Sequence, residues 1–296
     1  AEMRIAVLDI GGTSIKSGIY EKNALSGIKE TPTNAYRGGE AVMKTAREVL
    51  RLYAPFDSIG VSTAGQVDAD KGVIRYANSN IPGYTGMNVK RILEREFGVP
   101  VAVENDVNAA ALGEGIFGAG AGEKDFLCIT YGTGVGGAVV SDGKLWRGSC
   151  FSAGEFGAMV IHGEDRNAKE DLFSGCYERY ASVTALVAKA SAWESQLDSG
   201  RKIFARLAEE PVRRLVDDWI REVIWGLVSL IHIFNPSCVV LGGGIMEQPY
   251  ILERIRELLY ENIMPSFRNV KVLQAELGNT AGLLGAAWIA ENLKLL

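Results

Sequence analysis

Arg4-Ile-Ala-Val-Leu-Asp9-Ile-Gly-Gly-Thr13-Ser-Ile-Lys16 is the stretch whose reading decides the fold. Its first half is an apolar run closing on a carboxylate, which predicts a buried strand over 4–9. The residues from Ser14 to Tyr20 alternate apolar and polar, so a second strand, not a helix, follows the glycines. Gly11 and Gly12 let the backbone approach an anion closely and aim successive N–H groups at it. Asp9 beside such an anion makes chemical sense when a cation such as Mg²⁺ is bound there too.

The same pattern begins again further along. Asp125–Tyr131 reads as a strand, Gly132–Gly137 as a glycine loop, Ala138–Val140 as a strand, and Asp142-Gly143 as a tight turn. A third glycine run, Gly242–Gly244, follows a strand over 237–241. Between the two hairpins lie a helix over 41–54, a strand over 58–62 running into Thr63-Ala64-Gly65, a helix over 89–97, a strand over 99–104 and a helix over 107–117. Residues 172–190 and 203–234 read as largely helical. A helix over 250–260, a strand over 270–275 and a helix over 281–293 complete the chain. Alternating strands and helices predict α/β layers. At 296 residues two domains are expected: residues 1–118 with 281–296 as the smaller, 119–280 as the larger. Gly118–Gly122 is the hinge candidate.

Lys and Arg number 31 against 36 Asp and Glu, a formal charge of −5 that leaves no basic footprint for nucleic acid or an anionic membrane. The four cysteines, Cys128, Cys150, Cys176 and Cys238, are scattered without a CxxC pair, which fits a reducing compartment. The apolar run Ile5–Leu8 is cut short by Asp9, so it does not read as a signal peptide. Val223–Phe234 is about half the roughly 20 residues a bilayer span needs. The sequence reads as cytoplasmic.

Glu104-Asn105-Asp106 ends one predicted strand and precedes a helix. Asp106 there can cap the helix, and it can also serve a ligand, since ligands bind at strand ends in open α/β sheets. Phosphoryl transfer to an alcohol needs a base near the attacking hydroxyl and a cation on the phosphates. Asp106 and Asp9 divide those two roles. Gly132, Gly134 and Gly137 also spell GxGxxG, with Glu155 downstream as a ribose contact. A dinucleotide site, however, needs a helix opening at the third glycine, and Ala138–Val140 instead runs into a turn.

These motifs carry a resemblance. Asp9-Ile-Gly-Gly-Thr13-Ser-Ile-Lys16, Glu104-Asn-Asp106 with Gly113-Glu114, Gly132-Thr-Gly-Val-Gly-Gly137, Ala153-Gly-Glu155-Phe-Gly157 and Leu241-Gly-Gly-Gly-Ile245, in this order, resemble the ROK family (repressors, open reading frames, kinases). The resemblance implies a two-domain actin-like (ribonuclease H-like, hexokinase) fold with ATP in a central cleft. It implies an ATP-dependent sugar kinase that phosphorylates the 6-hydroxyl of a hexose or N-acylhexosamine, with Asp106 as the base. By the same resemblance Asp9, Gly11, Gly12, Thr13, Lys16, Gly132, Thr133 and Gly134 meet the phosphates and Mg²⁺, and Gly243 and Gly244 lie near the adenosine. Gly65, Asn80, Asn105, Asp106, Glu155 and Glu178 are implied as the sugar site, and a homodimer as the assembly.

The family's zinc site, a histidine after Glu-x-Gly and three cysteines in CxCGxxGC, is not spelled here. Ala158 stands at the histidine position, Cys176 alone remains of the thiols, and His162 is out of register. Zinc takes about four ligands, so no structural zinc is expected. Ser62-Thr-Ala-Gly-Gln-Val-Asp68 and Asn80-Ile-Pro-Gly-Tyr-Thr-Gly86-Met-Asn-Val-Lys-Arg91 resemble the zinc-less N-acetylmannosamine kinases more than the β-glucoside kinases, with glucokinase and β-glucoside kinase as alternatives. An alternative of another class is a sugar-responsive regulator or sensor without catalysis. The DNA-binding form of the family carries an N-terminal extension, whereas Met3 leads directly into the first strand.

Overall fold

The structure, a computed structural model, describes residues 3–293. The chain forms two units: one comprises the chain up to Gly122, Leu145–Ala153 and the chain from Asn279 on, the other Glu123–Lys144 and Gly154–Gly278.

In the first unit β1 (Ile5–Ile10), β2 (Ser14–Glu21) and β3 (Ala24–Pro32) form an antiparallel meander. After α1 (Gly39–Arg51), the strands β4 (Ser58–Thr63) and, later, β7 (Val101–Asn105) extend the sheet in parallel on the other side of β1. A small hairpin of β5 (Gln66–Asp68) and β6 (Val73–Tyr76) and the helix α2 (Val89–Phe97) lie between them in sequence, and α3 (Asp106–Phe117) follows β7 directly. The sheet order is β3-β2-β1-β4-β7. Strands covered on both faces read as continuous apolar runs, and β1 does so up to Asp9, whereas β4 is equally buried but alternates Ile59 and Val61 with Ser58, Gly60 and Ser62. Leu8, Ile10, Ile59 and Val61 pack with Val42, Met43 and Leu50 of α1 in one core. The strand β3 had no signal of its own, because its residues are mostly exposed and it forms a sheet edge without apolar alternation.

The second unit repeats the plan. Its sheet contains β8 (Phe126–Tyr131), β9 (Val135–Ser141), β10 (Lys144–Leu145), β11 (Cys238–Gly242) and β12 (Lys271–Gln274) in the order β10-β9-β8-β11-β12. Again the first two strands form an antiparallel hairpin, and β11 and β12 run parallel to β8. The glycine loop is shorter than its sequence suggests: β9 starts at Val135, so Gly136 and Gly137 lie within the strand. Gly137 is there for packing, since a Cβ on it would overlap the Phe156 ring. At Asp142-Gly143 both φ angles are positive, 51° and 73°, as a tight hairpin turn requires.

Residues 172–190 are not one helix. They break into α4 (Tyr177–Ala181) and α5 (Val183–Trp193), with Ser182 capping α5 through the Ala185 N–H at 3.1 Å. Next come α6 (Gly200–Ala205), the long α7 (Glu210–Phe234) and α8 (Pro249–Asn262). The inner face of α7 supplies Val216, Trp219, Ile220, Val223, Leu227 and Ile231 to the second core. The indole N–H of Trp219 donates to the Ser182 carbonyl at 2.9 Å, so this residue is core. His232 is likewise satisfied, by the Val228 carbonyl at 2.8 Å and the Met264 N–H at 3.2 Å.

The last helix, α9 (Ala281–Glu291), belongs to the first unit and packs on β1, β4 and α3 at backbone distance. Three glycines permit this: a Cβ on Gly60 would overlap the Ala286 carbonyl, on Gly113 that of Ala281, and on Gly285 that of Ala109. Interiors packed this densely do not absorb extra methyl groups. Gly285→Val is therefore expected to lower unfolding stability in urea by about 1–3 kcal/mol or more. Gly163→Ala, where a Cβ would meet nothing within 4 Å, is expected to stay within about 0.5 kcal/mol of the wild type.

Candidate active site

In the first unit the parallel register aligns the carboxyl ends of three strands. Asp9 pairs with Ser62, Ser62 with Glu104, and Thr63 with Asn105. Ser62 Oγ donates to Asp9 Oδ1 at 2.7 Å. Burial pushes the Asp9 carboxyl above its ordinary value, against the Ser62 hydrogen bond and the charge of Lys16, which hold it down. Lys16 faces Asp9 across the β1–β2 hairpin and also donates to Asn279 Oδ1 at 3.3 Å. Between the strands, the Gly11 N–H donates to the Ser14 carbonyl at 3.0 Å, and the space where a Gly12 Cβ would stand is open. Thr33 braces this loop from behind: its hydroxyl donates to the Gly11 carbonyl at 2.7 Å and its N–H to the Thr13 carbonyl at 2.9 Å.

The Glu104-Asn105-Asp106 corner resolves which residue caps α3. Asn105 is the cap, its Oδ1 accepting from the N–H groups of Val107 at 3.0 Å and Asn108 at 3.1 Å. Asp106 is the first helical residue, where the N-terminal dipole favours the carboxylate. Its Oδ1 accepts from Asn105 Nδ2 at 3.0 Å and from the Val107 N–H at 2.9 Å. The same Asn105 amide donates to the Gly65 carbonyl at 2.8 Å. Gly65 sits at φ 100°, a backbone conformation that favours glycine. Nearby, Tyr84 bonds to Thr63 at 2.7 Å, and burial together with the Asp106 charge pushes its phenol up to about 12, leaving it neutral. Asn80 is outside this cluster, exposed on the loop after β6 with its N–H on Asn78 Oδ1 at 3.1 Å.

In the second unit the short loop Gly132-Thr133-Gly134 is held from its carbonyl side. The Val183 N–H donates to Gly132 O and the Thr184 hydroxyl to Thr133 O, both at 2.9 Å. Glu178 Oε2 accepts from the Val135 N–H at 2.9 Å, and a Cβ on Gly134 would overlap that carboxylate. Glu155 is exposed just before a short turn, Phe156–Ala158, and a Cβ on Gly157 of that turn would stand 3.2 Å from Glu178 Oε2.

Above the loop opens a cavity of about 1060 Å³ lined by Gly132, Thr133, Val183, Val187, Phe204 and Gly244, among others. Its mainly apolar wall with glycine backbone at one side suits a purine carrying phosphates, and its volume is at the top of the usual range, about 300–1,000 Å³. Gly243, at φ 96°, allows the turn that places Gly244 on this wall, since a Cβ on it would overlap the Tyr131 carbonyl. Arg201, Thr184 and Gln248 line the same cavity. Nothing in the sequence marked them, nor Thr33, because each stands outside the glycine motifs.

Cys176 is buried, its thiol bonded to the Ala158 carbonyl at 3.2 Å and approached by Arg166 Nη1 at 3.3 Å. Arg166 Nη1 also donates to the Ser174 carbonyl at 2.9 Å, so a guanidinium organises the loop before α4. Among the described residues the group with metal-ligand spacing is His162, Glu164 and Asp165, which contains no thiol. His162 is already engaged by Glu164 at 3.0 Å and Glu222 at 2.8 Å.

The ROK family model matches residues 5–293. A β-glucoside kinase of Listeria innocua is 34% identical, with 97% of each chain covered. Among solved structures, a Listeria monocytogenes protein described as a candidate N-acetylmannosamine kinase matches with a TM-score of 0.87 at 31% identity, covering 97% of this chain and 98% of that one. A Streptomyces griseus ROK glucokinase in complex with glucose and AMPPNP matches with a TM-score of 0.84 at 30% identity, covering 98% and 99%. Fold and relatives together define a carbohydrate kinase of the actin-like ATPase fold. The chain belongs to the ROK family. Among the described residues no helix is long and apolar enough to cross a membrane.

The raised Asp9 carboxyl has a measurable consequence. An acid whose folded-state pKa lies above its ordinary 3.8 favours folding below that value, and this contribution is lost as pH rises through the folded pKa. Asp9→Asn keeps an acceptor for Ser62 and removes the cost of ionisation. The Tm advantage of Asp9→Asn over the wild type is therefore expected to grow as pH is raised from 4 towards 7. A constant difference across that range would contradict the assignment.

Proposed function

We propose that the chain transfers the γ-phosphoryl group of ATP to the 6-hydroxyl of a hexose or N-acylhexosamine, with N-acetylmannosamine the first candidate acceptor. The observation that carries this reading is the Asp106 carboxylate, held by Asn105 at the start of α3 at the carboxyl edge of the sheet that also presents Asp9 and Ser62. Asp106 takes the proton of the attacking hydroxyl. Asn105 and Gly65, bonded to each other beside Asp106, hold further sugar hydroxyls, and Asn80, Glu155 and Glu178 are assigned to the same role by the family motifs alone. Gly132, Thr133 and Gly134 offer backbone to the phosphates, and Gly243 and Gly244 border the adenosine.

Asp9 fits a Mg²⁺ site, since its carboxyl is buried, raised and ready to gain from a cation. When bound, Mg²⁺ supplies charge stabilisation on the phosphates. Gly11, Gly12 and Thr13 shape the backbone beside it, and Lys16 adds a second positive charge. Phosphoryl transfer asks for little covalent chemistry from a protein, so positioning and electrostatics are what these residues contribute.

The N-acetylmannosamine reading is supported by the sequence motifs at Ser62–Asp68 and Asn80–Arg91 and by the likeness to the Listeria monocytogenes protein. A second reading, phosphorylation of β-glucosides, is favoured by the Listeria innocua relative. An ADP-release screen across N-acetylmannosamine, N-acetylglucosamine, glucose, fructose and cellobiose separates them. N-acetylmannosamine is expected to give the highest kcat/KM, and a clear preference for cellobiose would replace it with the second reading.

Asp106→Asn is expected to cut kcat by about 10²–10⁴, the range for losing a general base, while sugar affinity measured calorimetrically is retained. Near-normal turnover would refute the role of Asp106. A valine at position 244 would enter the cavity from a position where a Cβ meets nothing within 4 Å. Gly244→Val is expected to raise the KM for ATP about tenfold or more, the loss of roughly 1.4 kcal/mol of binding, with the sugar KM little changed.

A further inference from the structure

We propose that Arg147 is a positioning residue for Asp106, acting through Glu104 and Asn105; this rests on the reading of Asp106 as the base. Glu104 is 1% exposed, and a carboxylate removed from water to that degree must have its oxygens occupied. Arg147 occupies one of them with a two-pronged contact, Nε and Nη2 each 2.8 Å from Oε2. The other oxygen, Oε1, accepts from the Asn105 N–H at 2.9 Å and from Asn108 Nδ2 at 3.1 Å.

The orientation of the Glu104 carboxylate therefore fixes the Asn105 peptide, and the guanidinium fork fixes that orientation. Asn105 in turn caps α3 and donates its side-chain amide to both Gly65 O and Asp106 Oδ1. Holding Oδ1 of Asp106 also settles where Oδ2 points. The chain of contacts runs from Arg147 to the reacting carboxylate without a gap.

Arg147 reaches Glu104 because of an unusual chain path. Leu145–Ala153 belongs to the first unit, although the segments on either side of it belong to the second. This strap is closed on itself by the Ala153 N–H on the Arg147 carbonyl at 3.1 Å, and it is fastened at its far end by Ser152 Oγ on Gln66 Oε1 at 2.9 Å. A lysine at 147 keeps the charge but lacks the rigid fork whose Nε and Nη2 converge on Oε2, so charge and orientation are separable.

The test is a kinetic cycle of wild type, Arg147→Ala, Asp106→Asn and the double variant, with Arg147→Lys and the charge-neutral pair Glu104→Gln/Arg147→Met alongside. Activity is read with whichever of N-acetylmannosamine, glucose and cellobiose turns over fastest, and folding by circular dichroism. Arg147→Ala is expected to lower kcat about 10- to 100-fold, the scale of a catalytic group misplaced by about an ångström, with the KM for ATP unchanged. Methylguanidinium is expected to restore part of that loss, and Arg147→Lys to fall in between. In the Asp106→Asn background the same change is expected to cost less than about twofold, because the group being oriented is gone.

A folded Arg147→Ala variant with kcat within about twofold of wild type would overturn the proposal, as would an equal fold-loss in both backgrounds. Should Arg147→Ala not fold, the neutral pair leaves no buried charge unpaired and decides the matter by the same kcat criterion. Failure of the Asp106 reading itself shows separately, as full activity of Asp106→Asn with Arg147 intact.

Discussion

Parallel pairing of β1, β4 and β7 is the constraint on which the first unit's chemistry depends. The register sets Asp9 against Ser62, and Ser62 and Thr63 against Glu104 and Asn105. A slip by one residue in either pair would turn every side chain to the opposite face and scatter the cluster. What prevents the slip is burial on both faces: Leu8, Ile10, Ile59 and Val61 pack in the core with α1, while Ile5 and Val7 pack in the core with α9, which also closes on Gly60 of β4. The acidic edge thus follows from the apolar runs that precede it.

The second unit uses the same strand plan for a different purpose. Its hairpin ends in a glycine loop whose carbonyls are spent on Val183 and Thr184, and whose exit is held by Glu178. Beside the loop lies an apolar cavity instead of a row of carboxylates. One topology therefore presents an acidic edge in one copy and a mainly apolar hollow in the other. The difference is carried by a few residues at the strand ends, while the sheets keep the same pairing order.

Much of this was legible in the sequence because buried strands and glycine turns leave local signals. The run Ile5–Leu8 closing on Asp9, the positive-φ turn at Asp142-Gly143 and the apolar stripe of α7 each depend on neighbours in sequence. What escaped depends on distant partners. The edge strand β3 has no apolar period. Gly137 looks like part of a phosphate loop and is in fact making room for Phe156. Capping of α3 fell to Asn105, although Asp106 is also a residue type that caps well; the Asn105 amide is held by the Gly65 carbonyl, 40 residues away in sequence, a partner no local pattern announces. Arg147, Thr33 and Arg201 carry no motif at all.

The placement of α9 has a consequence for how the protein is made. This helix fills the surface of β1, β4 and α3 at carbonyl-to-glycine distance, yet it is synthesised only after the whole of the second unit. On the ribosome, the second unit has its full complement of strands and helices while the first still shows water the apolar face that α9 will cover. Domains generally fold as units as they emerge. Here the half begun first is the half finished last, so its exposed face is the part of the nascent chain most in need of protection by chaperones.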